Sequence, residues 1–169
     1  MTRLCELASK YGTDKVPYYT PFYDLLLGNR EVHQVLEIGI GTRASMTHVP
    51  GYEPGASLRM WAEYFPEAKV VGFDRDPEMR SEGRIITFLV DERDTTRLAE
   101  AAAEFGTFEL IVDDGSHSPN DQFQTALTLM PFLSDGGVYI VEDAADIELP
   151  FPHYWVKGST GARFIVVHG

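Results

Sequence analysis

The sequence predicts an α/β fold, a doubly wound and mostly parallel sheet of the Rossmann-like kind. Three observations predict it. Short apolar runs recur along the chain at Val35–Gly39, Lys69–Asp74, Arg84–Val90, Phe108–Val112 and Gly137–Val141, and each reads as a buried strand. Helical spacings lie between them, as in Leu58, Trp61, Ala62 and Phe65, or Phe123, Leu127 and Met130. Glycine or acidic residues stand at the strand ends. Alternating strands and helices give a parallel sheet covered on both faces. Right-handed crossovers then place ligands beyond the carboxyl ends of the strands.

The elements follow in order. Leu4–Ala8 reads as a short helical turn, broken by Tyr11-Gly12-Thr13-Asp14-Lys15. Thr20-Pro21 reads as an N-cap followed by proline at the first helical position. Residues 39–55 are rich in Gly, Pro, Thr and Ser, so they form a long loop of functional or mobile character. The next helix stops at Pro66. Asp94 caps a helix carrying Leu98, Ala102 and Phe105. Ser118-Pro119 opens another, with Asp121 three residues after the cap. A loop and a last strand, Arg163–Val167, close the chain.

Composition narrows the classes of function. The 169 residues carry 26 acidic and 14 basic side chains, a net charge of −12. Such a surface repels phosphate backbones and anionic lipid, so neither nucleic acid nor membrane is an expected partner. It tolerates a cationic small molecule. The 44% hydrophobic content is that of a folded globular chain. A single cysteine, Cys5, makes no internal disulfide. The N-terminal residues lack the apolar run of a signal peptide, and no stretch approaches the ~20 apolar residues of a membrane span. The expectation is a cytoplasmic domain.

Four groups of residues carry chemistry. In Glu37-Ile38-Gly39-Ile40-Gly41-Thr42 the glycines let a ligand approach the backbone. Ala44 stands where a dinucleotide fingerprint has its third glycine, and the acid inside the turn suits positive charge better than phosphate. Asp74, ending the second strand, can accept from both hydroxyls of a ribose. Asp91, ending the third, can sit near an adenine amino group, or belong to the charged helix entry Asp91–Asp94. Asp114, His117, Glu142 and Asp143 come from two strands expected to be neighbours, ~4.8 Å apart. Three carboxylates so close repel unless a cation sits between them, and oxygen ligands suit Mg²⁺. His117, in the turn before the Ser118 cap, is placed to act as general base. Tyr11–Lys15 reads either as a lid over a cofactor or as a turn between helices. His33, His48, His153 and His168 have no partners at metal-ligand spacing.

With these residues in place, the chain resembles class I S-adenosylmethionine-dependent methyltransferases. More narrowly, it resembles the metal-dependent O-methyltransferases of macrolide sugars, the mycinamicin and macrocin type. The segments that carry the likeness are Tyr11–Lys15, Val35–Gly41, Ser57–Trp61 with Tyr64-Phe65-Pro66, Asp113-Asp114-Gly115-Ser116-His117, and Glu142-Asp143. The last two are the specific ones, with 28 residues from Asp114 to Glu142. The resemblance implies that Gly39 and Gly41 cradle the methionine part of S-adenosylmethionine with Glu37 behind them, and that Asp74 holds the ribose. Tyr11, Thr13, Asp91 and Asp113 join the cofactor-binding group. Asp114, Glu142 and Asp143 bind Mg²⁺, and His117 is the base. The acceptor is a small hydroxylated molecule. Sugar hydroxyl, phenol and carboxylate all stay open on the residues alone, and the likeness favours the sugar.

One domain is expected, with residues 1–30 as a helical segment or lid, 31–143 as the cofactor-binding core, and 144–169 as an acceptor loop and last strand. Only 26 residues follow Asp143, so the final helix and two-strand hairpin of class I methyltransferases are expected to be abbreviated. Either the acceptor is then bound differently or the neighbouring subunits of a homo-oligomer complete the site. Residues 146–160, with Phe151, His153, Tyr154 and Trp155, offer rings that can stack on an acceptor or simply cover the sheet edge. A non-catalytic cofactor-binding or assembly module, and a metal-dependent hydrolase, are the competing readings.

Overall fold

The structure, a computed structural model, describes residues 2–158 and 163–169. Among the described residues seven strands form one sheet: β1 (Gln34–Ile38), β2 (Lys69–Asp74), β3 (Ile85–Leu89), β4 (Phe108–Asp113), β5 (Leu133–Val141), β6 (His153–Lys157) and β7 (Arg163–His168). Their order is β3-β2-β1-β4-β5-β7-β6. The first five pair in parallel, and β7 runs antiparallel to both β5 and β6.

The strands bury alternate residues on opposite faces, as a pleated sheet covered on both sides requires. Val35, Val70, Leu110, Val112, Val138, Ile140, Phe164 and Val166 face a core built with α1 (Arg3–Tyr11), α2 (Thr20–Leu27) and α3 (Ala56–Tyr64). Leu36, Val71, Phe73, Ile111, Tyr139, Val141, Ile165 and Val167 face the other core, with α4 (Thr95–Ala103) and α5 (Pro119–Leu129). Within the first core the Tyr23 ring packs against those of Trp61 and Phe164.

Local signals set the helix ends. Thr2 caps α1 by accepting from the Cys5 amide, and Gly12, in the left-handed region, ends it. Asp94 caps α4 by accepting from the Arg97 amide, as the sequence predicts. Ser118 precedes α5 with Pro119 at its first position. Thr20 does not cap α2. Tyr19 holds that position, and Thr20 is buried with its hydroxyl 3.2 Å from Cys5 Sγ.

The main departure from the sequence reading is β6. Residues 153–157 were expected in a loop, but they pair with β7 in full register. The two-strand hairpin is therefore present. The connection from β5 to β6 holds no helix, and its Ala144, Ile147 and Leu149 are buried against the second core. Of the segment 146–160, Ser159 and Thr160 lie outside the described residues. Among the described residues no helix is long and apolar enough to cross a membrane.

Candidate active site

Strand order reverses between β1 and β4, the place where open α/β sheets bind ligands. A cleft of about 820 Å³ opens there. Its floor is Ile38–Thr42 and Asp114–His117, and Phe73–Asp76 and Val90–Arg93 form one wall. Thr13, Asp14 and Lys15 reach over from the N-terminal segment, facing Met46, His48 and Tyr52 of the 39–55 loop.

Gly39 is needed for this floor. Its φ is +86°, and a Cβ there would lie 2.1 Å from the Asp114 carbonyl oxygen. The turn after β1 thus closes directly on the tip of β4, and the Asp114 amide donates to the Ile38 carbonyl at 2.9 Å. Replacing Gly39 with alanine should cost about 1–3 kcal/mol for the left-handed backbone and more for parting the strand tips. Thermal unfolding should show a fall of several degrees. An unchanged melting point would contradict this account of the turn.

Asp74 knits the same turn to β2. Its Oδ2 accepts from the Ile40 and Gly41 amides at 2.8 and 3.3 Å, and its Oδ1 from the Asp76 amide at 2.8 Å. Asp91 also lines the cleft, but its carboxylate is gripped by Arg93 at 2.9 and 2.5 Å. That guanidinium holds its pKa at about 2. The neighbouring Glu92 is the acid that turns inward. It accepts from the Ser116 amide at 2.7 Å, and it approaches Gly115 so closely that a Cβ there would meet its Oε2 at 1.8 Å. Burial pushes the Glu92 carboxyl up. Asp113 lies beneath the floor rather than on it, buried, accepting from the Tyr139 hydroxyl at 3.1 Å. Burial and then Glu92 push its pKa up to about 8.

The acidic cluster is organised by a residue that sequence reasoning missed. Lys15 is 1% exposed, and its Nζ lies 2.7 Å from Glu142 Oε1, 2.8 Å from Asp114 Oδ2 and 3.5 Å from Glu37 Oε1. Burial opposes the charge on this ammonium, but Asp114, Glu142 and Glu37 outweigh it and hold its pKa well above the usual value. Glu37 also accepts from Trp61 Nε1 at 2.6 Å. Burial raises the Asp114 carboxyl, but Lys15 and His117 more than reverse this and keep it below the usual range. Burial dominates at Glu142, whose carboxyl is pushed well up despite Lys15. The one signal available in the sequence was that Lys15 is the basic member of an otherwise neutral and acidic turn.

The inner position among the strand tips is therefore filled by an ammonium, and Glu142 is turned toward it, away from the cleft. What faces the cleft is a second set. Asp114 Oδ1 lies 3.2 Å and Asp143 Oδ2 4.0 Å from His117 Nε2, and one ligand atom from each of the three falls within 4.8 Å of the others. Among the described residues, His117 (φ 56°) and Asp143 (φ 44°) are the non-glycine residues with left-handed backbone. Such conformations are uncommon outside sites that need them. The Asp114 contact, more than the opposing burial, raises the His117 pKa above 6.5.

The remaining expected residues divide. Thr13 lines the cleft and its Oγ1 accepts from the Lys15 amide. Tyr11 does not line it. It sits in the last turn of α1, and its hydroxyl donates to Glu63 at 2.5 Å on the α3 side.

The fold and the strand-tip cleft are those of Rossmann-like class I methyltransferases. No family model matches the chain. Demethylmacrocin O-methyltransferase of Streptomyces fradiae is 39% identical over 152 residues, 83% of this chain and 36% of that protein. A crystal structure of the MycE methyltransferase from the mycinamycin biosynthetic pathway, in complex with Mg and SAH, superposes with a TM-score of 0.73 at 35% identity, covering 84% of this chain and 37% of MycE. A second MycE structure, with Mg, SAH and mycinamycin VI, gives 0.76 at 28% identity, with 97% and 53% covered. The likeness to macrolide-sugar O-methyltransferases read from the motifs is thus found again in these proteins. The chain spans about a third of the length of the curated relatives it matches.

Proposed function

We propose that this domain is an S-adenosylmethionine-dependent O-methyltransferase that acts, with Mg²⁺, on a hydroxyl of a natural-product sugar. The observation that carries the reading is a carboxylate–histidine cluster opening onto the same cleft as the glycine turn. The cleft is rimmed with acids, which favours a cationic sulfonium. Asp74 keeps lone pairs beyond its three amide contacts, and these suit the ribose hydroxyls. Glu92 joins Asp91 at the adenine end.

The donor set fits a hard cation that keeps several waters. Asp114 Oδ1 and Asp143 Oδ2 would hold it, since Mg²⁺ is commonly bound by one or two carboxylates plus substrate and water. Glu142 supports Asp114 from behind through Lys15. When bound, the ion supplies Lewis-acid polarisation of the acceptor hydroxyl. His117 takes the hydroxyl proton on Nδ1, the ring nitrogen that does not face Asp114, and the contact of Nε2 with Asp114 stabilises the imidazolium. The oxygen bonds to the sulfonium methyl carbon as the carbon–sulfur bond breaks, releasing S-adenosylhomocysteine. The protein's task is to hold oxygen, carbon and sulfur in line.

Calorimetry with S-adenosylhomocysteine tests the cofactor half. Micromolar binding is expected from the wild type and a loss of about tenfold or more from Asp74→Ala. Absence of binding at millimolar ligand would end the proposal.

A further inference from the structure

Lys15 and Tyr19 lie four residues apart in a turn closed by the Tyr19 amide donating to the Lys15 carbonyl at 2.9 Å. Both side chains reach the strand tips. Lys15 takes Oδ2 of Asp114, and Tyr19 donates its hydroxyl to Oδ1 of Asp143 at 2.5 Å. Each of these cleft carboxylates thus spends one oxygen on the N-terminal segment and keeps the other for the side where His117 lies. Tyr19 does more than Lys15 in one respect. Its oxygen also accepts from the Asp143 amide at 3.3 Å. That two-point grip falls on a residue whose backbone is left-handed. Asp tolerates this region better than most side chains, but not freely. The Tyr19 ring is itself fixed, stacked on Tyr23 and set edge-on to Phe164.

We propose that Tyr19 is a positioning residue for the divalent-cation site: it holds Asp143 in its left-handed conformation and aims Oδ2 at the cleft. The inference rests on the metal reading above. Partners that orient ligating carboxylates from behind are generally worth 10–100-fold in metal affinity. Tyr19 is neutral, so its removal tests orientation without changing the charge of the site. Lys15 offers no such test, because losing its charge would alter cation binding by itself.

The experiment is Mn²⁺ binding to the purified chain, followed by electron paramagnetic resonance, with S-adenosylhomocysteine calorimetry in parallel. Tyr19→Phe keeps the ring contacts. It should weaken Mn²⁺ binding by about tenfold or more and alter the Mn²⁺ line shape, with S-adenosylhomocysteine affinity unchanged. In an Asp143→Ala background the same substitution should have no further effect on Mn²⁺ affinity, because Tyr19 acts through Asp143. Equal Mn²⁺ affinity in wild type and Tyr19→Phe would overturn this inference alone. So would a further loss of affinity in the Asp143→Ala background. A wild-type chain that binds no Mn²⁺ at millimolar concentration would overturn both this inference and the metal half of the proposed function.

Discussion

Replacing His117 with asparagine should lower methyl transfer by about 10²–10⁴-fold, the usual contribution of a positioned general base, and leave S-adenosylhomocysteine binding intact. Asparagine is the right replacement because His117 has φ 56°, and Asn enters the left-handed region at little cost. A fall in rate therefore reports the lost imidazole and not a rebuilt turn. The assay follows label from S-adenosylmethionine into whichever sugar hydroxyl, phenol or carboxylate the wild type accepts. A variant within a few-fold of wild type would remove His117 from the chemistry.

The same histidine has a predicted titration. Its hydrogen bond to Asp114 raises its pKa above 6.5. In the metal-free protein the ring proton resonances should therefore titrate above 6.5, and Asp114→Asn should bring the midpoint back down. The sign for stability follows from the direction of the shift. A histidine whose folded pKa is raised stabilises the fold below its unfolded pKa, and that contribution is lost as pH rises through the folded value. His117 is partly exposed, so the effect on unfolding is small. The effect on rate runs the other way, because the neutral ring is the base.

How much of this was legible in the sequence depends on the range of the interactions. The strand tips were legible because each is a local pattern, an apolar run ending in glycine or acid. Asp114, His117 and Asp143 were singled out for that reason, and the structure places them within reach of one another. β6 was not legible. His153–Lys157 is short, follows Phe151-Pro152, and takes its strand conformation from pairing with β7, a tertiary partner. Tyr11 shares a turn motif with Thr13 and Lys15, yet helix α1 carries it to the far side, against Glu63. Lys15 meets Asp114 and Glu142 across 99 and 127 residues. No local spacing encodes that contact, and the three-acid metal site expected at the strand tips could not reveal that an ammonium fills its inner half.

Lys15→Met should therefore be among the most damaging single changes in the chain. The ammonium is the one cation that the described residues place among Glu37, Asp114 and Glu142. Removing one partner of a buried ion pair typically costs about 3–5 kcal/mol, because the remaining charge is left uncompensated. For a domain of this size that is a fall of roughly 10 °C in melting temperature. Glu37 and Glu142 are already pushed toward protonation by burial, so they can relieve part of the cost by taking up protons. Asp114 is the member held low, and it sets the pH window. A carboxylate with a depressed folded pKa stabilises above its unfolded pKa and loses that contribution as pH falls through the folded value. The gap between wild type and Lys15→Met should be full at pH 7 and close below about pH 4. Adding Glu142→Gln to Lys15→Met should restore part of the loss, giving a favourable coupling energy in the double-mutant cycle. A Lys15→Met protein that melts with wild type at pH 7, or a gap that widens in acid, would show that the cluster does not depend on this ammonium.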